Sequence, residues 1–285
     1  MDVYHDLVDD KKVIVANGFR FSYGNSRASS LLVEDLQISS GQLVVLCGKS
    51  GSGKSTFLRL INGLIPDYYE GKLEGQLEIA NHLAGKQTVE ECSKRVASVF
   101  QNPSSQFFYK YVKHELVLPG ENHGKPAAEI LNRLEKLTAD FALADYLERD
   151  LSTLSGGEKQ RIALLTALMQ DTDILVLDEP TANLDRSGIE QVASYLSILK
   201  QEGKTEHRLD YLKDLADRYL YFDQGVLKRD YSKKEFDSLT ETERHNLGLR
   251  SQDLSSSISK LEAKKQIAPS PLMGDLTIKN LCLQA

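Results

Sequence analysis

The chain has 285 residues, of which 41% are hydrophobic and 27% charged. That is ordinary globular usage and excludes a disordered, collagen-like or fibrous chain. A formal net charge of -6 argues against nucleic acid as the main partner, and no apolar run approaches the roughly 20 residues that span a bilayer.

The first residues, Met1-Asp2-Val3-Tyr4-His5, lack the basic and apolar regions of a signal peptide, so any membrane role is expected to be peripheral, through a partner. Residues 13–15 and 19–21 read as short strands, with a turn at Tyr23-Gly24-Asn25. The apolar run 43–47 suits a parallel strand buried on both faces. A Gly-rich loop follows, then a helical stretch over 55–62. Residues 76–80 and 96–100 look like further strands. Ile130, Leu131, Leu134, Leu137 and Phe141 recur at helical spacing over 127–142. A second helix is expected over 157–169 and a buried strand over 174–177. Strands alternating with helices imply a mostly parallel α/β sheet. Beyond about Thr240 the chain turns polar and serine-rich, with a breaker cluster at Ala268-Pro269-Ser270-Pro271 that reads as a linker. Residues 276–283 resemble 13–20, with an Asn at the fifth position of each. They are either an edge strand of this domain or the first strand of a second copy. Cys47, Cys92 and Cys282 form no CxxC, which suits a reduced, cytoplasmic chain without a disulfide framework.

Three motifs carry chemistry. Gly48-Lys49-Ser50-Gly51-Ser52-Gly53-Lys54-Ser55 matches G-x-x-x-x-G-K-[ST], between an apolar strand and a helix. Its glycines let backbone N–H groups approach phosphate oxygens, and the helix N-terminus adds positive potential. Lys54 is expected on the β- and γ-phosphates of ATP and Ser55 on Mg²⁺, with Gly48 to Thr56 as the nucleotide-binding set. Leu177-Asp178-Glu179-Pro180 puts two carboxylates at the carboxyl end of a parallel strand, where open sheets bind ligands. Asp178 would hold Mg²⁺, and Glu179 would orient or deprotonate the attacking water. Leu154-Ser155-Gly156-Gly157-Glu158-Lys159-Gln160 opens a helix. Read plainly, it is an N-cap serine with a glycine turn. Read functionally, Ser155, Gly156 and Gly157 form a second phosphate-binding terminus. That terminus would serve a nucleotide held by another copy.

These motifs, in this order and spacing, resemble the ATP-binding-cassette ATPases over about 13–239. The resemblance implies an α/β fold: a P-loop NTPase parallel sheet core with an antiparallel β subdomain and a helical subdomain. The cassette would occupy 1–250, with the helical subdomain at about 104–165. A linker would follow at 251–273, and 274–285 is the candidate start of a second domain. Residue by residue, Tyr23 resembles the aromatic that stacks on adenine. Gln101 resembles the glutamine that senses Mg²⁺ and the transport partner. Ala182-Asn183-Leu184-Asp185 resembles the dimer-contacting loop, and His207 the switch histidine at the γ-phosphate. Phe100-Gln101-Asn102-Pro103-Ser104-Ser105-Gln106 and Glu206-His207-Arg208-Leu209 resemble the ATPases of energy-coupling-factor transporters. Those ATPases work on the cytoplasmic face of the membrane, as pairs. They dock on a membrane coupling protein that carries a small substrate-binding membrane protein. Phe107, Phe108, Tyr109 and Tyr111 either line the groove for the coupling helices or fill the helical subdomain core.

One departure stands out. Relatives place an aliphatic strand just before the switch histidine, yet Gly203-Lys204-Thr205-Glu206-His207 has no apolar run. Either that strand is missing, weakening hydrolysis through a misplaced His207, or 195–199 is drawn into the gap. The resulting expectation is an ATP-hydrolysing transporter subunit. The competing readings are a ribosome-associated cassette ATPase and a hydrolysis-impaired regulatory ATP binder.

Overall fold

The computed structural model describes residues 12–24, 29–179, 192, 195–196, 215–247 and 279–283. The described strands are β1 (Lys12–Tyr23), β2 (Leu31–Ser39), β3 (Leu43–Cys47), β4 (Gly71–Ile79), β5 (His82–Leu83), β6 (Val96–Val99), β7 (Ile174–Leu177), β8 (Arg218–Asp223), β9 (Val226–Ser232) and β10 (Lys279–Leu283). The described helices are α1 (Lys54–Ile61), α2 (Leu64–Asp67), α3 (Val89–Ser93), α4 (Val112–Asn122), α5 (Ala127–Asp140), α6 (Gly156–Leu168), α7 (Lys233–Asp237) and α8 (Glu241–Asn246).

Strand side chains alternate, so an all-apolar strand must fill two core layers at once. β3 sends Leu43, Val45 and Cys47 into one layer and Val44 and Leu46 into the other. β7 divides Leu175 and Leu177 from Ile174 and Val176 in the same way, and β8 divides Tyr219 and Tyr221 from Leu220 and Phe222. The helical segments α4 to α6 cover the first layer, while α1 covers the second with Phe57, Leu58, Leu60 and Ile61. Each fully buried Leu or Phe is worth about 1.5–3 kcal/mol of burial.

The strands form one ten-stranded sheet in the order β5-β4-β1-β2-β9-β8-β3-β10-β7-β6. β3 is parallel to β8, and β6 is parallel to β7, while β10 runs antiparallel to both β3 and β7. The sheet as a whole is mixed rather than mostly parallel. Its core strands β3, β6, β7 and β8 share one direction, and the arm of β1, β2, β4 and β5 is antiparallel, as the expected parallel core with an antiparallel β subdomain requires.

Other expectations also change. Residues 13–15 and 19–21 belong to one strand, β1, whose register against β4 shifts between Asn17 and Arg20. Gly18, with φ +56°, sits in that bulge, and a Cβ on the facing Gly75 would lie 2.2 Å from the Gly18 carbonyl oxygen. A bulge breaks the apolar alternation without ending the strand, so it reads as a gap. β4 starts at Gly71, five residues before the expected 76, because its outer half is largely exposed and polar. Residues 279–283 are not an edge strand, since they pair on both sides. Tyr195 and Leu196 are helical and buried, so they are not drawn into the sheet. His207, residues 182–185 and the linker lie outside the described residues.

Candidate nucleotide site

The carboxyl ends of β3, β6, β7 and β8 meet at one edge of the sheet. β3 delivers Gly48, β6 delivers Gln101, β7 delivers Asp178 and Glu179, and β8 delivers the Gln224-Gly225 turn. Ligands of open α/β sheets bind at that edge, because strand ends and helix starts converge there.

The loop leaving β3 is tightly built. A Cβ at Gly48 would lie 2.1 Å from the Phe222 carbonyl oxygen and 2.7 Å from Ser52 Oγ, so only glycine fits. Ser52 N–H donates to the Lys49 carbonyl at 3.1 Å, and Gly225 N–H donates to the Ser52 carbonyl at 3.0 Å. Lys54 is 3% exposed. Its ammonium donates to the carbonyls of Gly48 and Lys49 and to Ser52 Oγ, the latter two at 2.9 and 3.2 Å. The charge is thus held at the centre of the loop. Residues 50–56, with Tyr23, Arg59 and Glu179, line a cavity of about 500 Å³. Gly48 and Lys49 do not line that cavity, and their carbonyls hold the Lys54 ammonium.

Tyr23 stands at the end of β1 beside this cavity. Its hydroxyl is 3.0 Å from Thr56 Oγ1 and accepts from Arg59 Nη1 at 3.2 Å. The Arg59 guanidinium lies 4.2 Å from the Tyr69 ring centroid. Two residues of α1 therefore orient the aromatic ring.

A second cavity of about 320 Å³ joins Ser55, Gln101, Asp178 and Glu179. Gln101 Nε2 donates to Glu179 Oε2 at 2.7 Å, linking residues 78 positions apart. Glu179 takes φ +50°, a left-handed backbone that a non-glycine residue adopts at some cost. The hydroxyl, amide and carboxylate around this cavity are hard oxygen donors of the kind Mg²⁺ takes, usually with one or two carboxylates and substrate phosphates. Among the described residues no cluster of three or more His, Cys, Asp or Glu could hold a metal. Ser55, Gln101 and Asp178 thus fit Mg²⁺ but not a protein-only metal cage.

Ser155, Gly156 and Gly157 line neither cavity. They begin α6, where Ser155 and Glu158 form a capping box. Ser155 N–H donates to Glu158 Oε2 at 2.8 Å, and Glu158 N–H donates to Ser155 Oγ at 3.3 Å. The Ser155 backbone N–H, then its hydroxyl, hold the Glu158 carboxyl below its ordinary range. Burial pushes the Cys47 thiol up to about 12, against the lowering charges of Lys54 and Arg244. It is no nucleophile at neutral pH, although it adjoins the loop.

Several contributors escape sequence reasoning. The Gln106 amide accepts from Phe100 N–H at 2.9 Å and donates to the Ser98 carbonyl at 3.1 Å, bracing the segment that holds Gln101. Glu115, 1% exposed, accepts from the N–H groups of Phe108 and Tyr109, both at 2.9 Å. These contacts hold Phe108 outward at 83% exposure, with Tyr109 and Tyr111 also exposed. The core-filling alternative for the aromatics holds only for Phe107, which packs against the core. Arg59 and Gln224-Gly225 were likewise unmarked. Asp223-Gln224-Gly225 between two strands is a hairpin signal that finds the turn but not its contact with the loop.

The ABC transporter family profile matches residues 33–182. A Treponema denticola protein, named as a candidate ABC transporter ATP-binding protein, is 39% identical over 246 residues, covering 85% of this chain and 50% of that protein. A similarly named Pyrococcus abyssi protein is 40% identical over 218 residues, covering 75% of this chain and 78% of that protein. Among solved structures, cbiO1 from Clostridium perfringens, described as part of the ABC transporter complex cbiONQ, matches with a TM-score of 0.69 at 23% identity. That match covers 89% of this chain and 99% of cbiO1, and at such identity it speaks for the fold alone. The chain spans about half the length of the first curated relatives it matches.

Proposed function

This chain belongs to the ABC transporter family of ATP-binding proteins, and on that footing we propose that it binds and hydrolyses ATP to drive a membrane transporter. The observation that carries the reading is the meeting of the phosphate loop, Asp178, Glu179 and Gln101 at one sheet edge, with Gln101 bonded to Glu179. Family members bind ATP with Mg²⁺. In this chain Lys54 would hold the β- and γ-phosphates. Ser55, Asp178 and Gln101 would hold Mg²⁺, which neutralises phosphate charge when bound. Glu179, oriented by Gln101, would accept a proton from the water that attacks the γ-phosphorus. The bond from the γ-phosphorus to the bridging oxygen breaks, and ADP and phosphate leave. Tyr23 would pack on the adenine.

Ser155, Gly156 and Gly157 lie apart from these cavities, which supports a role across a dimer. Each nucleotide would sit between one loop and the partner cassette's α6 terminus. His207 would contact the γ-phosphate.

The finer reading is an energy-coupling-factor ATPase for micronutrient uptake, placed at the cytoplasmic face of the membrane. It is supported by the Phe100 to Gln106 and Glu206 to Leu209 details and by the likeness to cbiO1. The partners would be a membrane coupling protein and a small substrate-binding membrane protein. The exposed Phe108, Tyr109 and Tyr111 suit such an interface. No helix among the described residues is long and apolar enough to cross a membrane, so the path for substrate would lie in those partners. The test is purification of the chain from its own cells in mild detergent, with co-purifying proteins identified by mass spectrometry. A coupling membrane protein with a small hydrophobic binding protein is expected. Ribosomal proteins with no membrane partner would overturn the transporter reading.

A further inference from the structure

The sheet contains an internal slot whose occupant comes from far along the chain. β3 and β7 run in the same direction and flank β10, each pairing with it and not with the other. Neighbouring strands lie about 4.8 Å apart, so β3 and β7 stand roughly 10 Å apart across that slot. Both flanking strands are buried along their whole length. With no strand between them, the facing N–H and C=O groups of both would be buried without partners, a state native folds avoid. Some extended segment must therefore fill the slot.

A segment running in the common direction and leading into His207 would be the ordinary occupant in a parallel sheet. The sequence from Gly203 to His207 has no apolar run to supply one. Instead, Lys279–Leu283 fills the slot in the reverse direction. Lys279, Asn280, Leu281 and Cys282 pair with Leu46, Val45, Val44 and Leu43. On the other side, Asn280, Leu281, Cys282 and Leu283 pair with Leu177, Val176, Leu175 and Ile174. We infer that this chain completes its own catalytic sheet by β-augmentation, with β10 standing in for the strand that Gly203 to His207 does not supply.

The consequence reaches the site. β3 leads directly into the phosphate loop, and β7 leads directly into Asp178 and Glu179. The spacing between Lys54 and the two carboxylates is set by the strand that separates β3 from β7. β10 is thus a positioning element, although it supplies no residue assigned to the nucleotide. The same residues were also the candidate first strand of a second domain. The two roles exclude each other within one molecule, because a segment paired in this slot cannot begin another sheet.

The cross-link and exchange measurements place β10 without reference to nucleotide, so their outcome is separate from the ATPase reading. Cα partners across an antiparallel pair lie within disulfide reach. Cys282 is the partner of Leu43 on one side and of Leu175 on the other. The Leu43→Cys chain is oxidised with diamide and the cross-link mapped by mass spectrometry, with Cys282→Ala added as the control. A disulfide within one chain between positions 43 and 282, lost in the control, is expected. If Leu43→Cys does not fold, Leu175→Cys makes the same test from the other flank. Amide hydrogen exchange on the unaltered chain is a third reading, in which 279–283 should be as protected as 43–46. Separately, Leu281→Pro, which removes a ladder donor from the middle of β10, should weaken ATP binding about tenfold or more. A cross-link between chains only, rapid exchange of 279–283, or unchanged ATP binding in Leu281→Pro would each overturn the inference.

Discussion

Two of the described helices, α1 and α6, begin at Gly/Ser motifs, and their N-termini are built in opposite ways. α1 has Gly53 at its N-cap, no side-chain cap and no acidic residue in its first turn. α6 has Ser155 at its N-cap, a reciprocal capping box and Glu158 in its first turn. A helix start carries positive potential, which an anion can neutralise from outside or a carboxylate can neutralise from within. α1 keeps that potential and adds the buried Lys54 ammonium beside it. α6 spends part of its own on Glu158. The difference teaches that α1 is prepared for phosphate within one chain, while α6 is a stable structural terminus first. In the proposed dimer, a phosphate reaching α6 would come from another copy and share the site with a carboxylate.

Lys54→Ala should break the stronger member of the pair. Removing a charged donor from the phosphates costs ~3 kcal/mol, or about a hundredfold in ATP affinity by calorimetry. In the isolated chain, Ser155→Ala should leave that affinity within about twofold. Equal losses from both substitutions would erase the distinction between the two termini.

Glu179→Gln sharpens the chemistry on the α1 side. Loss of a positioned general base typically costs about a hundredfold or more in rate. Phosphate release should fall by that much while ATP affinity holds, because Glu179 acts on water rather than on the phosphate loop. A parallel loss of affinity would assign Glu179 to binding.

The smallest effect belongs to α6. Ser155→Ala should cost about 1 kcal/mol through the lost cap, lowering the melting temperature by roughly 2–4 °C. Glu158 has a depressed carboxyl in the folded chain, so its contribution is fully present above its ordinary value of 4.5 and is lost as pH falls through the lowered one. The gap between the unaltered chain and Ser155→Ala should therefore narrow on acidification below about pH 4.5. A gap that is constant down to pH 3 would mean the capping box contributes nothing through its charge.

Much of the site was legible because its parts are contiguous. A phosphate loop is a short-range object, since glycines at fixed offsets, a preceding apolar strand and a following helix all lie within about a dozen residues. β3 and β7 match the expected 43–47 and 174–177 to the residue, because runs buried on both faces carry no polar interruption. The cap at Ser155 was equally local, and Glu158 three residues on is its expected partner. The same local signature opens α7 and α8, each with a capping box, Ser232 with Glu235 and Thr240 with Glu243.

By itself, then, the sequence determined the loop, the two carboxylates, the α/β alternation and the absence of an apolar run before His207. Tertiary structure alone decided which distant groups meet. It bonded Gln101 to Glu179, pinned Tyr23 through Thr56 and Arg59, and braced the Gln101 segment with Gln106. It also set β10 between β3 and β7, more than 200 residues from the strand whose loop it positions. Strand pairing runs through backbone groups that every residue shares, so five residues carry almost no mark of the partner they will choose. Only the unpaired edges of β3 and β7, which exist once the rest of the sheet has formed, make that choice.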